Sequence, residues 1–418
     1  MLSAIRRAIA RRDPIRAAVR QLSAARLFSM AGTDASAVAI GFALYAQTGS
    51  AHWVSLSLLL TIGAGALLSP LGGWAGDHVD RRRLMIGAEL AACAVFVALT
   101  LVHTPLALLV LGLLAAAIGA IFGPASSAAL AHVAGERHLA WANGVIAAST
   151  NLGKTAGRLV GGTLVSAFGA GAVFLLDALS FLVSATLISS IKRGFSEPLT
   201  EPAPDEAPPA PADGGGLRFL LAHPVQRLVL ASACLSTFAT GFSMTAEVPL
   251  VFELGVGAVG LGALTAAWGA GMIAGSWYGG RVLHAGNEAT GLLTGRLAMA
   301  TGVGLVAASP SLGPMLACYL VGGAGGGLMG VAAQSLILRN VPGAMRARAL
   351  GTIESCRNLA FGLGVIGAGT VVTAVGARPV YAFVGLAMAV ASLPVAALVS
   401  KLGGPRRLGT FRPVRAHA

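Results

Sequence analysis

The chain has 418 residues, of which 56% are hydrophobic and only 11% charged. A soluble protein of this length needs far more charge to cover its surface, so a water-soluble globular fold is excluded and a bilayer is the solvent. The net charge of +13 would suggest nucleic acid in a soluble protein, but here it collects at helix ends and tails, where it reads as membrane topology.

Residues 1–24 form a basic arm with Arg6, Arg7, Arg11, Arg12, Arg16 and Arg20 against Asp13. It has no apolar core followed by a cleavage site, so it is not a secretory signal peptide. A cytoplasmic arm lying on anionic lipid fits it. Apolar runs of membrane-spanning length, roughly 20 residues, follow at about 25–46, 53–75, 84–102, 105–131, 141–166 and 171–191. They resume at about 226–250, 258–280, 290–308, 313–337, 348–374 and 379–400. Between the two sets lies a linker, 193–225, whose centre is rich in Pro, Glu, Asp and Gly and buries too little apolar surface to order itself. A basic tail, 401–418, closes the chain.

Lys and Arg fall on alternate gaps between the runs: Arg81–Arg83, Arg137, the linker, Arg281, and Arg339 with Arg346. The other gaps hold none, with Arg378 the one departure. By the positive-inside rule both termini and the linker are cytoplasmic, and the number of spans is even. The expectation is an all-α membrane protein of twelve helices in two six-helix bundles, 25–192 and 226–400. The halves also match each other at an offset of about 207 residues: Asn151 falls on Asn358, Gly162 on Gly369, Gly169 on Gly376 and Phe174 on Tyr381. Duplicated halves of this kind place a substrate site near mid-membrane.

The gap after the second run reads GGWAGDHVDRRRL. Gly73 and Gly76 allow close helix approach, Asp77 ends the run, and Arg81, Arg82 and Arg83 follow. Such an acidic–basic loop can clip one half to the other and release it. This pattern resembles the cytoplasmic signature loop of the major facilitator superfamily, with His78 where Arg is common and Asp80 where Gly is common. A second stretch resembles the superfamily branch of enterobactin-type siderophore exporters and macrolide-efflux relatives. The matching residues are Phe122-Gly123-Pro124-Ala125, Ala142-Asn143, Asn151, Gly157, Gly161-Gly162 and Asp177, together with Thr48-Gly49-Ser50. The resemblance implies the major facilitator fold, rocking of the halves, and export of a small organic molecule. Exporters of the superfamily often carry Gly-Pro in the fifth run, where this chain has Gly157-Arg158; the departure bears on gating.

Ionisable residues inside apolar runs are expensive and mark cavities or partners. Asp34 lies mid-way along the first run. Lys154 and Arg158, one turn apart, share a face of the fifth. Asp177 is in the sixth, Glu247 in the seventh, and Glu354 and Arg357 in the eleventh. Glu89 and Arg296 hold matching positions in the third and ninth, expected near the cytoplasmic interface. One reading makes Asp34 the residue that takes and gives a coupling proton, with Lys154 tuning it. The other makes it half of a fixed ion pair, Asp34–Lys154 or Asp177–Arg158. For Asp177, Glu354 and Arg357 the structural reading leads.

GGAGGGLMG at 322–330 lacks the Lys-Ser/Thr of a phosphate loop and reads as helix packing. The four cysteines and the histidines show no metal-ligand spacing, and no ATP-binding signature is present. No cofactor is expected, and energy comes from an ion gradient, with protons the leading choice. The function expected is secondary transport, proton-coupled export of a drug, siderophore or secondary metabolite, by a monomer in the plasma membrane with no nucleic-acid partner. Import by the same fold is the first alternative. A scaffold or intramembrane enzyme is the second, and lacks a catalytic group at convincing spacing.

Overall fold

The computed structural model describes residues 14–191, 194–195, 215–222, 224–284, 286–340 and 346–402. Residues 1–13, the acid- and Pro-rich centre of the linker and the tail from 403 lie outside the described residues, as do the readings attached to them. The described elements are all helices: α1 (Pro14–Thr48), α2 (Ala51–His78), α3 (Arg81–Leu101), α4 (Pro105–Phe168), α5 (Ala170–Ser190), α6 (Gly215–Ala222), α7 (Pro224–Glu253), α8 (Gly257–Val282), α9 (Glu288–Val306), α10 (Leu312–Asn340), α11 (Arg346–Val375) and α12 (Ala377–Leu402).

Two boundaries differ from the sequence reading. The first helix already runs from Pro14, so residues 14–24 belong to it and not to the arm. The last part of the linker, Gly215–Ala222, is a short helix.

The fourth and fifth runs form the single long element α4, broken at Gly135, where φ is 63° and ψ 166°. That backbone region is open essentially to glycine alone. Gly135→Ala is therefore expected to lower stability by about 1–3 kcal/mol, read as a lower unfolding temperature of the detergent-solubilised protein. An unchanged midpoint would mean that the bend is not held by this residue.

Eleven helices are long and apolar enough to cross a membrane among the described residues. The remaining expected span, the fifth run at about 141–166, is helical throughout but less apolar, because it carries Asn143, Asn151, Lys154 and Arg158. Large apolar side chains stand open along the helices, among them Leu67, Leu101, Phe168, Ile273 and Leu386. Water would not tolerate so much exposed apolar surface, and lipid does.

The chain forms two compact units. One holds α1–α5 together with Glu247–Ala266; the other holds α6, α7 as far as Ala246, and the chain from Ala267 onward. The stretch Glu247–Ala266 thus packs with the first bundle, where the sequence reading had assigned it to the second. Phe252 stacks on Phe42 and Tyr45, with ring centroids 4.7 and 4.9 Å apart. Ala258 joins a core with Ala35, Phe96, Val165 and Phe174. Within the first unit α1 packs on α4 and α5, α2 on α4, and α3 on α4 and α5. Within the second, α9 packs on α10 and α12, and α11 on α6 and α12. The 322–330 glycines lie inside α10, where Gly323 faces the Trp268 backbone and Gly325 that of Met299.

The internal repeat is visible in the backbone. Gly169 and Gly376 both turn at positive φ, 80° and 83°, to start α5 and α12. Phe174 and Tyr381, five residues further on, are both buried. A Cβ on Gly157 would run into the carbonyl oxygen of Ala31, and one on Gly364 into that of Phe238. These are the same crossing made twice at the 207-residue offset, α4 on α1 and α11 on α7.

Candidate functional site

The α1–α4 crossing sets the candidate site. Gly153, Gly157 and Gly161 recur every fourth residue and so form one stripe of α4. They face the backbone of Leu27, Ala31 and Ala35, a matching stripe of α1. Small residues let the two backbones touch, as membrane helices do when no hydrophobic force drives them together. The contact brings Arg158 level with Asp34, and Arg158 Nε donates to Asp34 Oδ1 at 2.8 Å. The Asp34 side chain is 11% exposed and that of Arg158 34%. The guanidinium is thus the more open of the two groups.

The pair formed is neither of the two expected. Lys154 sits one turn back along α4, level with Leu27 and Met30, and is exposed. Asp177 does not meet Arg158. It lies on α5, 0% exposed, with Oδ1 accepting from Ser180 Oγ at 3.0 Å. Glu247 is half-buried in the stretch of α7 that belongs to the first unit. Glu354 and Arg357 pair with each other at 2.8 Å, both largely exposed, an arrangement that contributes little. Arg357 Nε also reaches Thr237 Oγ1 at 3.4 Å.

At the signature loop the close approach falls on Gly72 and not on Gly73. A Cβ on Gly72 would lie 2.8 Å from the Ala120 oxygen, whereas Gly73 has open space and Gly76 only ordinary contact with Ala125. The Asp77 side chain lies outside the described residues. Asp80 caps α3, its Oδ1 accepting from Arg83 N at 2.9 Å. Arg81 Nε donates to Gly76 O at 3.1 Å. Arg82 donates to Ile191 O and lies over the Phe195 ring, 4.8 Å from its centroid. Arg83 is exposed. Arg81 and Arg82 thus tie the loop to α2 and to the end of α5.

Glu89 and Arg296 are packed inside their bundles and do not snorkel. Both are 3% exposed. Glu89 Oε1 accepts from Ser184 Oγ at 2.7 Å, and Arg296 Nη1 donates to Ser232 O and Ser236 Oγ, each at 3.0 Å. The serines were the missed signal. Ser29, which lies near Glu89, and Ser236, which binds Arg296, also match at the repeat offset. Among the described residues no group of three His, Cys, Asp or Glu could hold a metal, and the four cysteines are unpaired.

Two duplicated helical bundles, each with lipid-compatible surfaces and with ionisable side chains buried at membrane depth, define a multi-pass membrane transporter. The family model of the Major Facilitator Superfamily matches residues 22–311 and 229–416. The chain belongs to that superfamily. It is 27% identical over 320 residues to the uncharacterized MFS-type transporter YfiS of Bacillus subtilis, covering 74% of this chain and 76% of that one. A shorter match, 30% identical over 139 residues, joins 32% of this chain to 25% of the multidrug resistance protein B homolog of Mycobacterium tuberculosis. Among solved structures the nucleoside transporter NupG superposes with a TM-score of 0.72 at 12% identity, covering 91% of this chain and 98% of NupG. A bacterial homolog of the human lysosomal transporter Spinster gives 0.69 at 14% identity, covering 94% and 96%. These two likenesses establish the fold. Superfamily membership makes the chain a transporter of small molecules.

Proposed function

We propose that this transporter is a proton-coupled exporter, an antiporter, of a small organic molecule such as a drug, siderophore or secondary metabolite, and that Asp34 with Arg158 is its coupling site. One observation carries the coupling assignment. The second half builds the equivalent crossing of α11 on α7 with Gly241 where the first has Asp34 and Val365 where it has Arg158. A Cβ on Gly241 would lie 2.8 Å from Phe361 O and 2.8 Å from Val365 N, so that crossing closes without ions. The first half therefore carries an ion pair that its packing does not require, at a depth where charges are costly.

The chemistry follows from the pair. A proton on Asp34 removes the charge that holds Arg158, and its departure restores the bond. Each state leaves a different group open to the aqueous space: the free guanidinium can hold a substrate acceptor, and the paired one cannot. A proton entering along the membrane potential supplies about 2.3 kcal/mol per 100 mV, enough with one or two protons to expel a hydrophobic compound. Export is favoured by the first-half resemblance to efflux transporters and by the relative named for multidrug resistance. The same reading puts the protein in the plasma membrane as a monomer, with both termini cytoplasmic and no bound cofactor.

The test is flux into proteoliposomes with imposed pH gradients and a panel of dyes and metabolites. An acid lumen is expected to drive accumulation, because protons leave as substrate enters. Asp34→Asn is expected to lose that drive while keeping gradient-free exchange. Accumulation driven by an alkaline lumen would establish symport instead. Drive that survives Asp34→Asn would remove Asp34 from the coupling.

A further inference from the structure

We propose that the seam between α1, α3 and α5 is a proton-binding site, with Asp177 and Glu89 as its carboxyls and Ser180 and Ser184 as the hydroxyls that hold them. The proposal rests on the proton-coupled reading above and adds residues away from the Asp34–Arg158 pair.

Asp177, Ser180 and Ser184 fall on one face of α5 by their spacing of three and seven. Ser29, Gly32 and Ser36 do the same on α1. Gly32 leaves the room that the Asp177 carboxylate and Ser180 hydroxyl fill, for a Cβ there would run into both. Glu89 comes in from α3 to Ser184, 2.7 Å away. Each carboxyl has one oxygen bonded to a serine and one buried oxygen with no hydrogen-bond partner, Asp177 Oδ2 and Glu89 Oε2. The hydroxyl of Ser36 lies alongside Asp177, and that of Ser29 alongside Glu89.

The charged and titratable groups around the seam are few. From α1 come Arg26, within reach of Glu89, and Asp34, within reach of Asp177. From α3 comes Cys93, beside Asp177, and Arg158 of α4 is taken by Asp34. Among the described residues Asp177 has no cation of its own. A buried carboxylate without a cation is expensive, and a proton is the smallest ligand that removes the charge without needing space. Packing does not call for an acid at the Asp177 position. At the repeat offset the second half has Val384 for Asp177, Ala387 for Ser180 and Ala391 for Ser184. Asp34 lies within electrostatic reach of Asp177, so a proton held in the seam removes a like charge from beside the coupling site without touching substrate.

The full-length protein in liposomes tests this by infrared spectroscopy in H2O and D2O. The wild type is expected to show carboxylic C=O bands that shift in D2O, one lost in Asp177→Asn and another in Glu89→Gln. Flux driven by a pH gradient is expected to fall about tenfold in Asp177→Asn, within the usual range of coupling free energies, with gradient-free exchange kept. Absence of such bands from the wild type at every pH where it stays folded would overturn the proposal, whatever the variants do. Binding of sodium that Asp177→Asn abolishes would overturn it too, and make the seam a metal-cation site. Asp34→Asn separates the two readings: if it leaves flux unchanged while the seam bands persist, the coupling assignment fails and the proton site stands.

Discussion

The double replacement Asp34→Ala with Arg158→Val is expected to leave the protein nearly as stable as wild type and to abolish proton-driven transport. Each single replacement strands the other group. Asp34→Ala leaves a guanidinium without its anion, and Arg158→Val leaves a nearly buried carboxylate. Losing a charge-assisted hydrogen bond costs about 1.5–3 kcal/mol. Arg158 is a third exposed, so solvent screening brings the single losses to about 1–2 kcal/mol. The double variant removes both charges, as in the second half, where Gly241 and Val365 meet without them, and alanine adds no atom that Asp34 does not already have. In a double-mutant cycle on unfolding temperature the two losses are expected to cancel in large part, with an interaction term of about 2–3 kcal/mol. Simple additivity would mean that the groups do not interact. A double variant that still accumulates substrate against a pH gradient would reduce the pair to a structural tie.

Much of this arrangement was legible in the sequence because it is written in one dimension. Length of apolar run, placement of Lys and Arg and the repeat offset do not depend on which helix touches which. Asp34 and Arg158 each stood out as charges in apolar runs. Their pairing did not, because it depends on the level at which α4 crosses α1, and Gly157 against Ala31 fixes that level. From sequence alone Lys154 was as good a partner. The register error at the signature loop has the same origin. Gly72 and Gly73 are neighbours in the motif but point about 100° apart around the helix, and only contact with Ala120 separates them. The burial of Glu89 was not legible because it lies near the start of its run. The helix begins at Arg81, so Glu89 is two turns inside, and its partner Ser184 lies 95 residues away. Nor did any local signal tie Glu247–Ala266 to the first unit, since that grouping is made by packing such as Phe252 on Phe42.

Gly157→Ala is expected to be among the most damaging single-methyl changes in the chain. The added Cβ meets backbone atoms of Ala31, and backbone at a helix crossing has no alternative rotamer. Overpacking of this kind costs about 1–3 kcal/mol and at times more, and here the relief would be separation of α4 from α1. That movement lifts Arg158 away from Asp34, so loss of proton-driven flux should accompany the lower unfolding temperature. Gly364→Ala repeats the same clash against Phe238 in the second half, where no ion pair depends on the crossing. It should cost similar stability, while the protein that remains folded keeps its proton drive. Gly87 in α3 and Gly330 in α10 have open space around the missing Cβ. Alanine at either should raise stability by about 0.5–1 kcal/mol through helix propensity alone. The four substitutions thus separate crowding from propensity, and the two damaging ones separate the crossing from the charge it carries. If Gly157→Ala melts with the wild type, the two helices do not meet at Ala31, and the placement of Arg158 beside Asp34 falls with that contact.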